Sequence, residues 1–224
     1  MSSTNRKGHK ARKDGNYATP IWAVRAVLPH LPMAKRILDP CAGSGNILSA
    51  ISEYYGDRDK PDVLAGIEMD AARAQKCALI DRVTDCVHAN ALPAGVEWNK
   101  PELIVMNPPF SLAEIFVRRA LNAVVPNGTV AVLLRMAFAA GISRKAFWTG
   151  SANKVADMAV LARRPSFDKI NKATHDSADY AWFIFGPQAT GRWYRLEIEE
   201  PKVVRRRRLD TMMETPPPTA INVL

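Results

Sequence analysis

Apolar and polar positions follow two repeating patterns along most of the chain. Short apolar runs that end at a polar or turn residue are typical of buried strands. The predicted strands are residues 36–39, 63–68, 86–89, 103–106 and 129–134. Other segments carry apolar residues at helical spacing. The predicted helices are residues 20–28, 47–55, 71–80 and 112–124. This alternation predicts an α/β domain with a parallel sheet and helices on both faces.

The pattern becomes more β-like after the turn Pro126-Asn127-Gly128 and its following strand. A short amphipathic segment covers residues 143–148. Apolar runs of strand length then follow at 155–161 and 181–185, and the polar stretch 163–179 separates them. These two runs predict that the last part of the sheet departs from simple strand–helix alternation.

Both ends of the chain are polar and have few apolar residues that could pack. Residues 1–15 are predicted to form a mobile basic arm. Residues 199–224 combine a run of arginines with three consecutive prolines, which predicts an extended, basic tail. One domain is therefore expected over residues 16–198.

Composition agrees with one domain and indicates the class of its partner. The chain has 224 residues, 47% of them hydrophobic, which suffices for a single core that buries about 70% of the unfolded surface. A net charge of +9 favours a polyanionic partner, because cationic side chains release condensed counterions when they contact phosphates.

Cysteine usage and hydropathy limit the location and the cofactor type. Three cysteines without disulfide-framework spacing fit a reducing compartment, so a cytoplasmic protein is expected. The longest apolar stretch, residues 129–134, is far shorter than the roughly 20 residues of a membrane span. Cys77, Cys86 and His88 lack the spacing of metal ligands, and no metal site is predicted.

The segment Asp39-Pro40-Cys41-Ala42-Gly43-Ser44-Gly45-Asn46 joins the first predicted strand to a helix. Glycines at such a turn allow the backbone to approach a ligand closely, so a larger side chain at Gly45 is expected to exclude the ligand. Asn46 is placed to cap the helix. Glu68 ends the second strand, where nucleotide-binding folds hold a ribose diol, while Asp70 is expected to cap the next helix. The glycine spacing fits neither a dinucleotide fingerprint nor a P-loop, so neither NAD nor ATP is the expected ligand.

The segment Asn107-Pro108-Pro109-Phe110 follows the fourth predicted strand. The side-chain carbonyl of Asn107 and the backbone carbonyl of Pro108 can accept hydrogen bonds from both N–H groups of an aromatic amine. These bonds would draw the nitrogen toward a tetrahedral geometry. The two prolines stiffen the loop, and Phe110 offers a flat apolar face on which a base can stack.

Together these segments resemble the S-adenosylmethionine-dependent amino-methyltransferases, in the form associated with N6 methylation of adenine in DNA. The resemblance implies a Rossmann-like domain with a mostly parallel seven-stranded sheet and an antiparallel strand near the C-terminus. It implies S-adenosylmethionine as cofactor and base flipping of the target. The cofactor-binding residues it implies are Tyr17, Thr19, Pro20, Asp39, Cys41, Ala42, Gly43, Gly45, Glu68, Met69, Asn90 and Asn107.

The same resemblance assigns roles to individual side chains. Asp39 and the backbone from Cys41 to Gly45 would face the methionine moiety, Met69 the adenine ring and Asn90 its edge. Tyr17, Thr19 and Pro20 would close over the methionine carboxylate, although an ordinary helix entry explains Tyr17 and Thr19 almost equally well. The catalytic residues are Asn107, Pro108, Pro109 and Phe110. Phe167 is a candidate second stacking face, and a core aromatic is the comparable interpretation.

Nucleic-acid contacts are expected from the candidate recognition loop 163–179 and from the tail. The predicted contact residues are Arg163, Arg164, Lys169, Lys172, Arg205, Arg206, Arg207 and Arg208. Duplex DNA is the expected partner in preference to single strands, and RNA is the alternative. A catalytically silent nucleic-acid-binding protein is an alternative of another class, and basic charge disfavours a protein substrate. The sequence indicates neither the recognition sequence nor the oligomeric state.

Overall fold

The fold is given by a computed structural model that describes residues 18–57, 59–150, 156–167 and 177–198. The predicted arm 1–15 and tail 199–224 lie outside these residues, as do Tyr17, Lys169 and Lys172. The strands are β1 (Arg36–Asp39), β2 (Val63–Glu68), β3 (Asp85–His88), β4 (Leu103–Met106), β5 (Thr129–Arg135), β6 (Asp157–Leu161), β7 (Tyr180–Phe185) and β8 (Trp193–Leu196). The helices are α1 (Ile21–Val27), α2 (Asn46–Tyr55), α3 (Ala71–Ala78), α4 (Ala113–Ala123) and α5 (Lys145–Thr149).

The strands form one mixed sheet in the order β3-β2-β1-β4-β5-β7-β6-β8. The first five strands in this order are parallel, and β7 is antiparallel to both of its neighbours. The predicted mostly parallel sheet with an antiparallel strand near the C-terminus is therefore confirmed. The described sheet has eight strands and not seven, since β8 pairs with β6 at the edge.

Side chains of alternate residues pack on opposite faces of the sheet, as the period of a strand requires. In β4, Leu103 and Val105 join one apolar cluster, while Ile104 and Met106 join the other. Residues of α1, α2 and α3 belong to the first cluster, and residues of α4 and α5 to the second. The prediction of helices on both faces is thus confirmed, and continuous apolar strands follow from burial on both sides.

Local capping agrees with the sequence at one helix and departs from it at another. Asp70 caps α3 as predicted, since its side chain accepts a hydrogen bond from Arg73 N at 2.9 Å. The predicted cap of α2 by Asn46 is wrong, because Gly45 is the N-cap residue and no side chain caps it. Asn46 Nδ2 instead donates to the carbonyl oxygen of Thr19 at 2.9 Å.

The topology brings the two informative segments to one edge of the sheet. β1 pairs in parallel with β2 on one side and with β4 on the other, so all three carboxyl ends lie side by side. The glycine turn follows β1, Glu68 ends β2, and Asn107 follows β4. Ligands of open α/β sheets bind at this edge. In the described residues, no helix has the length and apolarity needed to cross a membrane.

Candidate functional site

A cleft of about 180 Å³, open to solvent, lies at the carboxyl ends of β1, β2 and β4. The segment before α1 and the start of α4 complete its walls. Nine of the predicted cofactor-binding residues line it, which are Thr19, Asp39, Cys41, Ala42, Gly43, Glu68, Met69, Asn90 and Asn107, and the predicted catalytic residue Pro109 lines it as well. Pro20 and Gly45 are not among the lining residues. The cleft therefore joins the glycine turn to the Asn-Pro-Pro-Phe segment.

Gly43 and Gly45 both have positive φ but play different steric roles. A Cβ atom on Gly43, at φ +55°, would meet no atom within 4 Å, so this glycine faces open space. A Cβ atom on Gly45, at φ +86°, would overlap Ile80 Cδ1 and lie 3.3 Å from Cys77 Cα. A larger side chain at Gly45 would displace the Ile80 side chain and press on Cys77, and its exclusion of the cofactor stays a prediction. Gly43 lines the cleft, so a substituent on Gly43 is also expected to take up space there.

Asp39 is fully buried at the end of β1. Its Oδ1 accepts a hydrogen bond from Cys41 N at 3.0 Å, whereas Oδ2 has no hydrogen-bond partner among the described residues. Burial raises the pKa of Asp39 to about 7, with the charge of Glu68 adding to the rise and the Cys41 bond opposing it. A buried carboxylate oxygen without a donor fits a cationic ligand group.

Glu68 is buried at the end of β2 and holds the cleft wall together. Its Oε2 accepts from Gly43 N at 2.9 Å. Its Oε1 accepts from Asp70 N at 2.9 Å and from the guanidinium of Arg73 at 2.8 and 3.0 Å. Each carboxylate oxygen has about two acceptor positions, so Oε2 can still accept one further hydroxyl. The Arg73 contact was not predictable from sequence.

The wall beyond Glu68 is largely apolar. The side chain of Met69 is 64% exposed and lines the cleft, as do Ala89, Leu92 and Phe116. Asn90 also lines the cleft, where its Oδ1 accepts from Leu92 N at 3.1 Å. An apolar slot with an amide at its edge is suited to a flat heteroaromatic ring.

Asn107 is tied to the segment that precedes α1. Its Nδ2 donates to Thr19 Oγ1 at 3.0 Å, and Thr19 is only 5% exposed. This bond turns the amide so that Oδ1 lies on the side away from Thr19. Pro108 is buried and Pro109 is half-buried, so the loop after Asn107 is held on both sides.

Phe110 lies outside the cleft lining in a cluster of rings. It contacts Tyr180 at a centroid distance of 5.6 Å and Phe167 at 6.2 Å, while the Arg135 guanidinium lies 5.0 Å from its centroid. Arg135 Nε also donates to the Tyr180 hydroxyl at 3.2 Å. Phe167 is 7% exposed and packs in the core, so stacking of a base on Phe167 would require its segment to move. The role of Phe167 stays a prediction.

Arginines lie along the same edge of the sheet, beyond the cleft. β6 is parallel to β5, so the residues after both strands reach the edge that carries Asn107. Arg163 lies over the Trp22 ring at 4.3 Å, and Arg164 pairs with Asp179 at 2.8 Å. The Arg164 side chain holds the pKa of Asp179 below its usual value. Arg163 and Arg164 were predicted contact residues, whereas Arg135 was not singled out.

The described residues contain no group of three or more His, Cys, Asp or Glu side chains that could hold a metal ion. Cys77 and Cys86 are buried free thiols. Burial raises the pKa of the Cys41 thiol well above its usual value, and the charges of Asp39 and Glu68 act in the same direction. A thiol in that state is a poor nucleophile.

Comparisons with known proteins place the fold. The sequence matches no protein-family model, and no curated protein matches it either. Among solved structures, a Listeria monocytogenes protein assigned as a class I S-adenosylmethionine-dependent methyltransferase superposes with a TM-score of 0.62 at 16% identity. That match covers 84% of this chain and 68% of the other.

Two similar structures are subunits of restriction systems. The type I restriction-modification methyltransferase subunit from Streptococcus thermophilus has a TM-score of 0.61 at 17% identity, covering 80% of this chain and 47% of that one. The M protein of the type I restriction enzyme EcoKI has a TM-score of 0.55 at 16% identity, covering 78% and 44%. The chain thus spans less than half the length of these two proteins. At such identities the likeness shows the fold, which is the Rossmann-like fold of class I methyltransferases.

Proposed function

We propose that this protein transfers a methyl group from S-adenosylmethionine to the exocyclic N6 amine of adenine in DNA. The observation that carries the proposal is the shared cleft. Asn107, at the end of β4, lines the same space as Asp39 and Glu68, and its amide nitrogen is already bound by Thr19. The amide of Asn107, the buried carboxyl group of Asp39 and the carboxylate of Glu68, which can bind a ribose hydroxyl, lie at one sheet edge. This set of groups suits methylation of an amine better than hydride transfer or phosphate chemistry.

The cleft residues fit S-adenosylmethionine. The buried Oδ2 of Asp39 matches the ammonium of a methionine moiety, and the remaining acceptor position on Glu68 Oε2 matches a ribose hydroxyl. The exposed Met69 side chain and the neighbouring apolar wall suit an adenine ring. The open space beside Gly43 leaves room for the part of the cofactor that joins its ammonium group to its ribose. When bound, the cofactor supplies an electrophilic methyl group on a sulfonium.

The chain's own contribution to the reaction is to orient the amine. The lone pair of an aromatic amine is delocalised into its ring, so the amine is a weak nucleophile. Asn107 Oδ1 and the Pro108 carbonyl accept hydrogen bonds from its two N–H groups, which localises the lone pair and aims it into the cleft. The neutral amide accepts these bonds without placing a second charge beside Asp39. The amine loses its proton after transfer, so no base has to act first.

Access to the amine requires the base to leave the duplex. Unstacking costs a few kcal/mol, and stacking on an aromatic ring returns about 1–3 kcal/mol per base. Phe110 is half-buried beside Asn107, and Tyr180 and Phe167 hold the ring in place from the core side. A rigid ring beside the acceptor amide supports a stacked base without further ordering of the protein.

Cationic side chains on the same edge support a nucleic-acid substrate. Arg135, Arg163 and Arg164 each reach that edge, and two of them lie against aromatic rings. Guanidinium groups recognise phosphates with fixed geometry. The similar Streptococcus thermophilus protein is named as the methyltransferase subunit of a restriction-modification system. A partner subunit that recognises the DNA sequence is one way in which this chain as well could be directed to its target.

The proposal is tested by methyl transfer from radiolabelled S-adenosylmethionine to four substrates in parallel. These are duplex DNA, single-stranded DNA, RNA and a mixed protein extract. The expected result is label in duplex DNA, recovered as the N6-methylated adenine nucleoside after digestion. Label in RNA nucleosides supports the RNA alternative, and label in protein overturns a nucleic-acid substrate. Binding of nucleic acid without transfer to any substrate supports a catalytically silent protein.

Cofactor affinity should depend on pH through Asp39. Burial raises the pKa of this carboxyl to about 7, so in the free protein it is protonated below that pH. Binding of an ammonium favours the carboxylate, which makes binding release a proton. We therefore expect the affinity for S-adenosylhomocysteine to rise by up to about tenfold per pH unit below about pH 7 and to level off above it. Calorimetry in buffers of different ionisation enthalpy measures both affinity and proton release.

The matched control is Asp39→Asn, which keeps the shape and removes the titration. Its affinity should be weaker and nearly constant across the same pH range. The raised pKa also means that the free protein loses stability as pH rises from the usual value of 3.8 to about 7, because the unfolded chain ionises first. The variant should lack this loss. A wild-type affinity that is flat with pH, with no proton release, would contradict the assignment of Asp39 to the ammonium.

Arg135 should contribute to nucleic-acid binding by charge. Arg135→Met keeps an apolar contact to Phe110 but removes the cation, so each lost phosphate contact should lower the slope of log affinity against log salt by about 0.9. Fluorescence anisotropy with a labelled duplex over a salt series gives that slope. Lys60→Met removes one charge at the opposite sheet edge and should leave the slope unchanged. Equal slopes for both variants and the wild type would remove Arg135 from the interface.

A further inference from the structure

Thr19 connects two parts of the site that are distant in sequence. Its hydroxyl accepts the hydrogen bond from Asn107 Nδ2 at 3.0 Å, and its backbone carbonyl accepts one from Asn46 Nδ2 at 2.9 Å. Asn46 opens α2 directly after the glycine turn, and all three residues line the cleft. Thr19 is 5% exposed, and both hydrogen bonds are partly buried. One residue thus links the wall of the cofactor cleft to the amide of the Asn-Pro-Pro-Phe segment.

The bond to Asn107 has a chemical consequence for the amide. An asparagine side chain can present either its oxygen or its NH₂ group to a substrate, and the two have almost the same shape. An amine substrate requires the oxygen, since an NH₂ group facing another amine donates where it should accept. With its Nδ2 satisfied by a buried hydroxyl, Asn107 gains nothing by rotating. Without that hydroxyl, a buried NH₂ group loses a partner and turns toward another acceptor.

We infer that Thr19 is a positioning residue that fixes the orientation of the Asn107 amide and links it to the cofactor wall. The inference deepens the proposed function, on which it rests, and it differs from the role of direct cofactor ligand that the sequence suggested for Thr19. Its hydroxyl is engaged by Asn107 and its carbonyl by Asn46. Both acceptor groups of Thr19 therefore bind other residues of the chain, and the hydroxyl proton is left to donate.

Two substitutions separate positioning from cofactor binding. Thr19→Val keeps the size of the side chain and removes the hydroxyl, whereas Thr19→Ser keeps the hydroxyl. We expect Thr19→Val to lower kcat by about 10- to 100-fold, which is less than the loss typical of a preorganised group that contacts the reacting atoms because Thr19 acts through Asn107, while the Kd for S-adenosylhomocysteine changes by less than about threefold. Thr19→Ser should retain kcat within about threefold of the wild type.

Thr129→Val is the matched control for loss of a buried threonine hydroxyl. Thr129 is also 5% exposed but lies at the start of β5, at the edge of the sheet away from Asn107. The Thr129→Val variant should leave kcat unchanged. A Thr19→Val variant with unchanged kcat, or one that loses S-adenosylhomocysteine affinity in proportion to its loss of kcat/KM, would overturn the positioning role.

A second readout does not depend on the substrate. In ¹⁵N-labelled full-length protein, the side-chain amide signal of Asn107 is identified by its absence in Asn107→Asp. Hydrogen exchange of that signal should be at least about tenfold faster in Thr19→Val than in the wild type or Thr19→Ser. Equal exchange in all three overturns the inference, whatever the activity. Wild-type protein that methylates none of the tested polymers but shows the exchange difference overturns the proposed function and leaves the role of Thr19 standing.

Discussion

Asn107→Ala is expected to lower kcat for methyl transfer by about 1,000-fold while the Kd for S-adenosylhomocysteine changes by less than about threefold. Removing one preorganised hydrogen-bonding group from an active site typically costs about 10²- to 10³-fold in rate, and this variant also loses the partner of Thr19. The proposed cofactor contacts are made by Asp39, Glu68 and the glycine turn, which the substitution leaves in place. Single-turnover kinetics and calorimetry give the two quantities separately.

The control for this prediction is Asn122→Ala on the exposed side of α4. It removes the same side chain without touching the cleft, and both rate and affinity should match the wild type. Equal loss of affinity and rate in Asn107→Ala would assign Asn107 to cofactor binding alone. A variant that keeps its rate would remove the amide from the mechanism.

Gly43→Val is expected to weaken S-adenosylhomocysteine binding by at least about 100-fold, equivalent to about 2.8 kcal/mol. Gly43 lines the cleft and a Cβ atom on it meets no protein atom within 4 Å, so we expect the valine methyl groups to take space that the ligand needs. The positive φ of +55° adds strain of about 1–2 kcal/mol to the folded protein. Urea unfolding and calorimetry separate the loss of stability from the loss of binding.

Gly56→Val provides the matched strain control. Gly56 has φ +58°, and a Cβ atom added there would also meet no atom within 4 Å, but this glycine lies at the far end of α2. Gly56→Val should lose at least as much stability as Gly43→Val, because its ψ of −166° lies in a region that only glycine favours, and only Gly43→Val should lose affinity. Gly45→Val should also lose stability, because its Cβ would lie 3.3 Å from Cys77 Cα and would displace Ile80 Cδ1. Equal affinities for the Gly43 and Gly56 variants would contradict the placement of the ligand beside Gly43.

Most of the fold could be predicted because its strands are buried on both faces. The continuous apolar runs of β4 and β5 identify them without help from neighbours, and the helices between strands have clear periodicity. β8 was missed because only Leu196 of its four residues is buried, so it lacks both a continuous run and a buried face. An edge strand of this kind is defined by pairing with β6, which no local pattern encodes.

Part of the candidate site could likewise be predicted from the sequence, and part could not. Asp39, Glu68 and Asn107 could be placed together because the carboxyl ends of parallel strands meet at one edge. Two contacts could not be predicted from the sequence, because side-chain partners depend on tertiary packing. They are the contact of Arg73 with Glu68 and that of Thr19 with Asn107. The direction of the Gly45 Cβ is a further example, because only the position of α3 reveals what that atom would meet.

The antiparallel β7 has a consequence for how this protein could be redesigned. β6 and β7 are adjacent and antiparallel, and the described ends of the segment between them, residues 162–167 and 177–179, lie at the edge that carries Asn107. Both flanks are fixed by buried aromatic side chains, Phe167 and Tyr180. Doubling the length of a loop costs only about 0.6 kcal/mol of closure entropy. A longer or foreign segment could therefore be grafted between these flanks while the eight-stranded scaffold stays as it is.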